Sequence, residues 1–101
     1  MYIIQILLPL SDNAGTPFPD ATLQAIHQEL TYRFGGLTAF TRAPAEGVWA
    51  HDGGHAKDDI VVIEVMTDEL DRDWWGAFRQ RVEGELSQAR LIVRAQPTEM
   101  L

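Results

Sequence analysis

Residues 60–66 form the most apolar segment of this chain, and one carboxylate, Glu64, interrupts it. A short apolar run of this kind is typical of a strand that is buried on both faces. A carboxylate inside such a strand costs free energy unless a partner or water compensates it. Similar interruptions are Gln5 in the first apolar segment of the chain and Arg94 at the end of the last. The sequence therefore indicates a sheet with a polar patch inside an apolar surface.

Strand patterns occur at four places along the chain. Strands are predicted at residues 2–8, 37–42, 57–66 and 90–95, from apolar runs bounded by turn signals. The second of these patterns is interrupted at residues 43–47 and resumes at 48–51. Residues 37–51 are therefore either one long strand bent at a bulge or two short strands joined by a turn.

Two segments have the spacing of amphipathic helices. Asp20 is the expected N-cap of the first helix, which ends at Gly35. Aspartates at 68, 71 and 73 mark the start of the second helix, because carboxylates near a helix N-terminus are stabilised by the positive end of the helix dipole. Apolar residues recur at spacings of three and four in both helices: Leu23, Ile26, Leu30 and Phe34 in the first, and Trp75, Phe78, Val82 and Leu86 in the second.

The element order β-α-β-β-α-β predicts a single ferredoxin-like α+β domain over residues 1–101. Its four strands are expected to form one antiparallel sheet, with the first and third strands adjacent at the centre. Each helix has one apolar stripe, so both helices are expected on one face of that sheet. The face opposite the helices is called the open face; the residues that strand alternation places on it are Ile3, Gln5, Leu7, Ile60, Val62, Glu64, Met66, Ile92 and Arg94.

The open face is too apolar to lie against water. An antiparallel sheet that is covered on one side normally exposes polar residues on the other. We therefore expect a homodimer in which two sheets pack face to face. The alternative is a small-molecule enzyme or ligand-binding protein of the dimeric α+β barrel type, with a pocket around Glu64 and Arg94.

Glu64 is the centre of the candidate site. A desolvated carboxylate beside Arg94 or Arg90, with His51 nearby, could act as a general base on a small ligand. Gln5, Glu64, Arg94 and Trp49 are the candidate ligand-binding residues. The competing interpretation is a structural ion pair, within one chain or across a dimer seam. In either case we expect Glu64 to be buried and partnered, by Arg94 first, then by Gln5 or an arginine from a second subunit.

The segment His51 to His55 has the residue types of a metal site, because two histidines with Asp58 or Asp59 nearby could hold zinc or iron. The histidines lie in a Gly-rich turn that fixes no ligand geometry, so no metal and no cofactor are predicted.

The net charge of −7 disfavours nucleic acid and anionic membranes as partners. The chain has no cysteine, which excludes disulfides and thiolate chemistry. The apolar N-terminus lacks the basic region and cleavage site of a signal peptide, so a cytoplasmic location is expected.

Several short motifs follow one another in a distinctive layout: Arg33-Phe34-Gly35-Gly36-Leu37-Thr38, then Gly47-Val48-Trp49, Glu64-Val65 and Trp74-Trp75. This layout, RFGG-[LV]-T … G-x-W … E-V … WW, resembles a group of small uncharacterised bacterial proteins. The resemblance extends from about Leu30 to Arg94 and implies a ferredoxin-like α+β fold. It transfers no activity and no catalytic residues.

Overall fold

The computed structural model describes residues 1–36, 38–51, 54–88 and 90–101, with the side chains of 39–51 and 54–59 outside that description. Strands and helices alternate in the order β1 (Tyr2–Pro9), α1 (Asp20–Phe34), β2 (Thr38–His51), β3 (Gly54–Thr67), α2 (Arg72–Glu85) and β4 (Ile92–Pro97). The strands form one sheet in the order β2-β3-β1-β4, and each neighbouring pair is antiparallel. The α+β class expected from the sequence is confirmed.

The core lies on one side of the sheet, because alternate residues of the two central strands point towards the helices. These inward residues are almost completely buried, and they share one cluster with side chains from both helices: Ile4, Ile6, Leu8, Val61, Ile63, Val65, Ile26, Leu30, Trp75, Phe78, Val82, Leu86 and Leu91. Leu23, expected in the core, is only partly buried and packs against the edge of this cluster. Because these residues point towards the helices, the alternate residues of the same strands point to the open face.

Helix boundaries follow the capping chemistry with one difference. Asp20 was expected to cap α1, but Pro19 takes the N-cap position and Asp20 is the first helical residue. Asp20 still lies in the first turn, where its carboxylate interacts favourably with the positive end of the helix dipole. Gly35 ends the helix in the left-handed conformation, with φ of 80°. The N-cap of α2 is Asp71, whose carboxylate accepts a hydrogen bond from the Trp74 N–H at 3.0 Å.

Strand β2 is one continuous strand with an irregularity, rather than two strands joined by a turn. Its pairing with β3 shifts register between Phe40 and Ala45. Pro44 falls inside that interval, where its missing N–H removes no regular ladder bond. β3 begins at Gly54, three residues before the predicted start; Gly54 was expected in the Gly-rich turn at 52–54, whose other two residues lie outside the described part of the chain.

Strand β4 is an edge strand fastened to α2 by a side chain. It begins at Ile92, two residues after the predicted start. The Glu83 carboxylate accepts the Leu91 N–H at 2.8 Å and also binds Arg79 at 2.9 Å. These contacts, the Leu91 N–H foremost, lower the pKa of Glu83. The second helix therefore positions the strand that carries Arg94.

Candidate functional site

A polar row crosses the open face of the sheet. In the strand register Glu64 pairs with Gln5, which on its other side pairs with Arg94. Thr38 of β2 pairs with Glu64 and extends the row to the fourth strand. Strand alternation places all four side chains on the face opposite the helices. The polar row, Thr38-Glu64-Gln5-Arg94, therefore contains three of the side chains that the sequence singled out.

Gln5 joins the two charged residues of the row. Its amide nitrogen donates to Glu64 Oε2 at 2.7 Å, and its amide oxygen accepts from Arg94 Nε at 2.7 Å. An amide suits this position because it offers a donor on one side and an acceptor on the other. The result is an ordered sequence of negative, neutral and positive groups across the sheet.

Two expectations about Glu64 require correction. Arg94 was expected as its first partner, but β1 lies between β3 and β4, so Gln5 takes that place. Neighbouring strands are about 4.8 Å apart, which puts the Glu64 and Arg94 backbones about 10 Å from each other. Glu64 was also expected to be buried, but it is partly exposed in the single chain. No charged side chain is buried among those that the structure describes.

A groove of about 340 Å³ lies beside Glu64 on the open face. We call it the Glu64 groove; its lining residues are Ile3, Phe34, Gly35, Gly36, Thr38, Glu64 and Met66. Glu64 is the charged residue of this set, and the other side chains are apolar, aromatic or absent, apart from the Thr38 hydroxyl. A concave apolar site with a few polar groups is typical of small-ligand binding.

The end of α1 that forms this groove is fastened to the start of α2. The Phe34 ring lies 5.2 Å from the Trp75 ring and 5.4 Å from the Trp74 ring, measured between centroids. The Arg33 guanidinium lies 4.3 Å from the Trp74 ring centroid and 3.6 Å from the Asp71 carboxylate. Packed aromatic and cation–π contacts restrict side-chain rotation. The Arg33-Phe34 and Trp74-Trp75 motifs therefore contact each other, and these contacts hold the Phe34 ring in place as one wall of the Glu64 groove.

Sequence reasoning missed most of the groove lining. The sequence marks Gly35 as the end of the first helix and Phe34 as part of its apolar stripe, and it assigns no ligand role to Gly36. A weak signal was present, because a glycine next to a capping glycine leaves the backbone open to a ligand. At Gly36 a Cβ atom would meet no other atom within 4 Å.

A second cavity, of about 230 Å³, lies between α2 and the β1-β4 side of the sheet. Ile4, Trp75 and Val93 form its apolar floor, and Arg72, Arg79 and Arg94 are also in its lining. Arg79 is engaged by Glu83, and Arg94 by Gln5. Because the Arg94 side chain binds Gln5 on the open face, this cavity is not the pocket expected around Glu64 and Arg94, and Arg94 is not in the lining of the Glu64 groove.

The remaining candidates fall outside the described part of the chain. The side chains of Trp49, His51, His55, Asp58 and Asp59 lie in the undescribed segments, and the ligand and metal hypotheses for them stay predictions. Arg90, the alternative partner of Glu64, is described and is exposed.

Among the described residues, no group of three or more acidic or histidine side chains lies close enough together to hold a metal ion. Neither described helix has the length and apolar character needed to cross a bilayer.

Comparison with solved structures shows a shared fold. The chain superposes on phage SAM lyase in complex with S-methyl-5′-thioadenosine with a TM-score of 0.61 and 16% sequence identity. The apo state of phage SAM lyase gives a TM-score of 0.60 at the same identity. The matches cover 94% of this chain and 79% and 78% of the two lyase chains. No protein-family model and no curated protein matches the chain.

Proposed function

We propose that this chain is a ferredoxin-like protein that binds a small organic ligand in the Glu64 groove and associates with a second copy through its open face. The groove carries the proposal: its volume of about 340 Å³ falls at the lower end of the range for small-ligand pockets. Its lining combines apolar side chains with polar groups, among them the Glu64 carboxylate, which can orient a polar part of the ligand. The strand order β2-β3-β1-β4 supports the ferredoxin-like assignment.

A nucleoside bearing sulfur is the ligand class we propose first. Phage SAM lyase, which shares the fold, is named for SAM (S-adenosylmethionine) and was solved with S-methyl-5′-thioadenosine. In the Glu64 groove, Phe34 offers an aromatic wall, and Met66 and Ile3 offer apolar surface to a thioether. A sulfonium cation such as SAM is also favoured by the Glu64 carboxylate and by the net charge of −7.

Self-association follows from the apolar residues of the open face. Met66 and Ile92 remain 43% and 48% exposed in the single chain. Ile3, Leu7, Ile60 and Val62 are only partly covered. Contiguous exposed apolar surface of this kind marks an interaction site in a soluble protein. A second copy would cover it and turn the open groove into a deeper pocket.

The groove can be tested by filling it. S-methyl-5′-thioadenosine and SAM are titrated separately into the protein by isothermal calorimetry. Gly36→Leu should weaken binding of either ligand about tenfold or more, because its side chain enters the groove while the backbone, at an ordinary φ, is not strained. Gly84→Leu, on the exposed side of α2, is the control and should leave the affinity unchanged. Binding that survives Gly36→Leu unaltered contradicts the groove as the ligand site.

The charge of Glu64 can be tested separately. Glu64→Gln should fold normally, because the new amide oxygen can still accept the hydrogen bond from Gln5. SAM affinity should fall about tenfold to a hundredfold, since a charge-assisted contact contributes roughly 1.5–3 kcal/mol. The neutral S-methyl-5′-thioadenosine should lose less. Glu99→Gln, an exposed carboxylate in the tail, is the matched control. A loss that both ligands share equally would assign Glu64 a structural role, in folding or in the dimer; only the additional loss for SAM measures the contribution of the Glu64 charge.

A further inference from the structure

The polar row is self-complementary under one particular symmetry. Its charges run from negative Glu64 through neutral Gln5 to positive Arg94. Consider a two-fold axis that lies between two facing sheets, runs along β1 and passes over Gln5. Rotation about this axis exchanges the two sides of β1, so each Glu64 faces an Arg94 of the other copy. Facing sheets are about 10 Å apart, a gap that a glutamate and an arginine side chain can bridge together.

Next to the polar row lies a row of apolar residues, Val62, Leu7 and Ile92, which is also self-complementary about this axis. Leu7 pairs with Val62 on one side and with Ile92 on the other. The rotation places Ile92, which is 48% exposed, against the partly exposed Val62 of the second copy. Apolar surface thus meets apolar surface, and opposite charges meet in the adjacent row. An axis that runs across the strands would instead place Glu64 over Glu64 and Arg94 over Arg94, which costs electrostatic energy.

We infer that a second copy of this chain covers the open face about a two-fold axis along β1, and that Arg94 of the partner subunit completes the ligand site beside Glu64. This inference rests on the dimer proposed above. Within one chain, Gln5 separates Arg94 from Glu64, and Arg94 is not in the lining of the Glu64 groove. Dimerisation in this register brings the two residues to one pocket from different subunits. The groove keeps an entrance at Thr38, because the partner sheet ends with its β4 over Glu64.

Charge reversal tests the pairing. Glu64→Arg alone creates two Arg–Arg contacts in its own dimer, and Arg94→Glu alone creates two Glu–Glu contacts. Each variant should therefore be monomeric at micromolar concentration by light scattering. An equimolar mixture of the two should form a heterodimer, because both of its contacts are then Arg–Glu. The double variant E64R/R94E should dimerise as the unaltered chain does.

Milder variants keep the test independent of folding. Arg94→Gln and Glu64→Gln should each raise the dimer dissociation constant about thirtyfold or more, since breaking a buried charge pair weakens association strongly. Circular dichroism should show unchanged secondary structure. Single charge-reversal variants that remain dimeric would overturn the pairing and leave the dimer standing. A double variant that stays monomeric would also overturn the pairing, because its two contacts should again join opposite charges. A monomeric unaltered chain would remove the pairing together with the dimer, while the calorimetric test of the groove would stand by itself.

Discussion

Leu30→Ala should lower the free energy of unfolding by about 2–5 kcal/mol. Leu30 is completely buried on the inner side of α1, within the cluster that joins both helices to the sheet. Truncation removes apolar contact area and leaves a cavity that the surrounding side chains fill only in part. Urea denaturation followed by circular dichroism measures the change. For a domain of this size the loss removes a large share of the total stability.

Leu101→Ala is the matched control for that experiment. The same side chain is removed, but Leu101 is fully exposed at the end of the described chain. Its free energy of unfolding should change by less than about 0.5 kcal/mol. Equal effects of the two variants would contradict the placement of α1 against the sheet.

Val62→Lys should raise the dissociation constant of the proposed dimer about thirtyfold or more. Val62 lies on the open face of β3, opposite Leu7 in the central strand. Each dimer would then hold two ammonium groups against apolar surface, at a cost of at least about 1 kcal/mol each. The isolated subunit should still fold, because Val62 is partly exposed there and the long lysine side chain can reach water.

Gln80→Lys provides the control for Val62→Lys. It makes the same change in net charge at an exposed position of α2, on the opposite side of the molecule from the open face. Sedimentation velocity should show a dimer for Gln80→Lys and a monomer for Val62→Lys. A dimer in both cases would mean that the copies associate through a different surface.

Periodicity predicted the elements well because each one carries its own local signal. The stripe of α2 and the alternation of β1 assigned inward residues correctly, and Gly35 and Asp71 marked helix ends through capping chemistry. The start of α1 was misplaced by one residue because Pro19 and Asp20 are both acceptable at a helix start.

The partner of Glu64 could have been derived from the expected topology. With β1 between β3 and β4, a residue of β1 had to separate Glu64 from Arg94, and strand alternation left Gln5 as that residue. The Glu64 groove could not have been derived in this way. It arises where the end of α1 meets the open face, and the approach of Phe34 and Gly36 to Met66 depends on tertiary packing.

Phe34 belongs both to the wall of the Glu64 groove and to the aromatic cluster with Trp74 and Trp75. The two indole rings lie 4.8 Å apart at an interplanar angle of 89°. Chromophores at this separation couple electronically, so their near-ultraviolet circular dichroism depends on their mutual orientation. A ligand that contacts the Phe34 ring would change the surroundings of the two indoles packed against it. The protein thereby carries an intrinsic optical reporter of groove occupancy, which allows binding to be followed without an attached label.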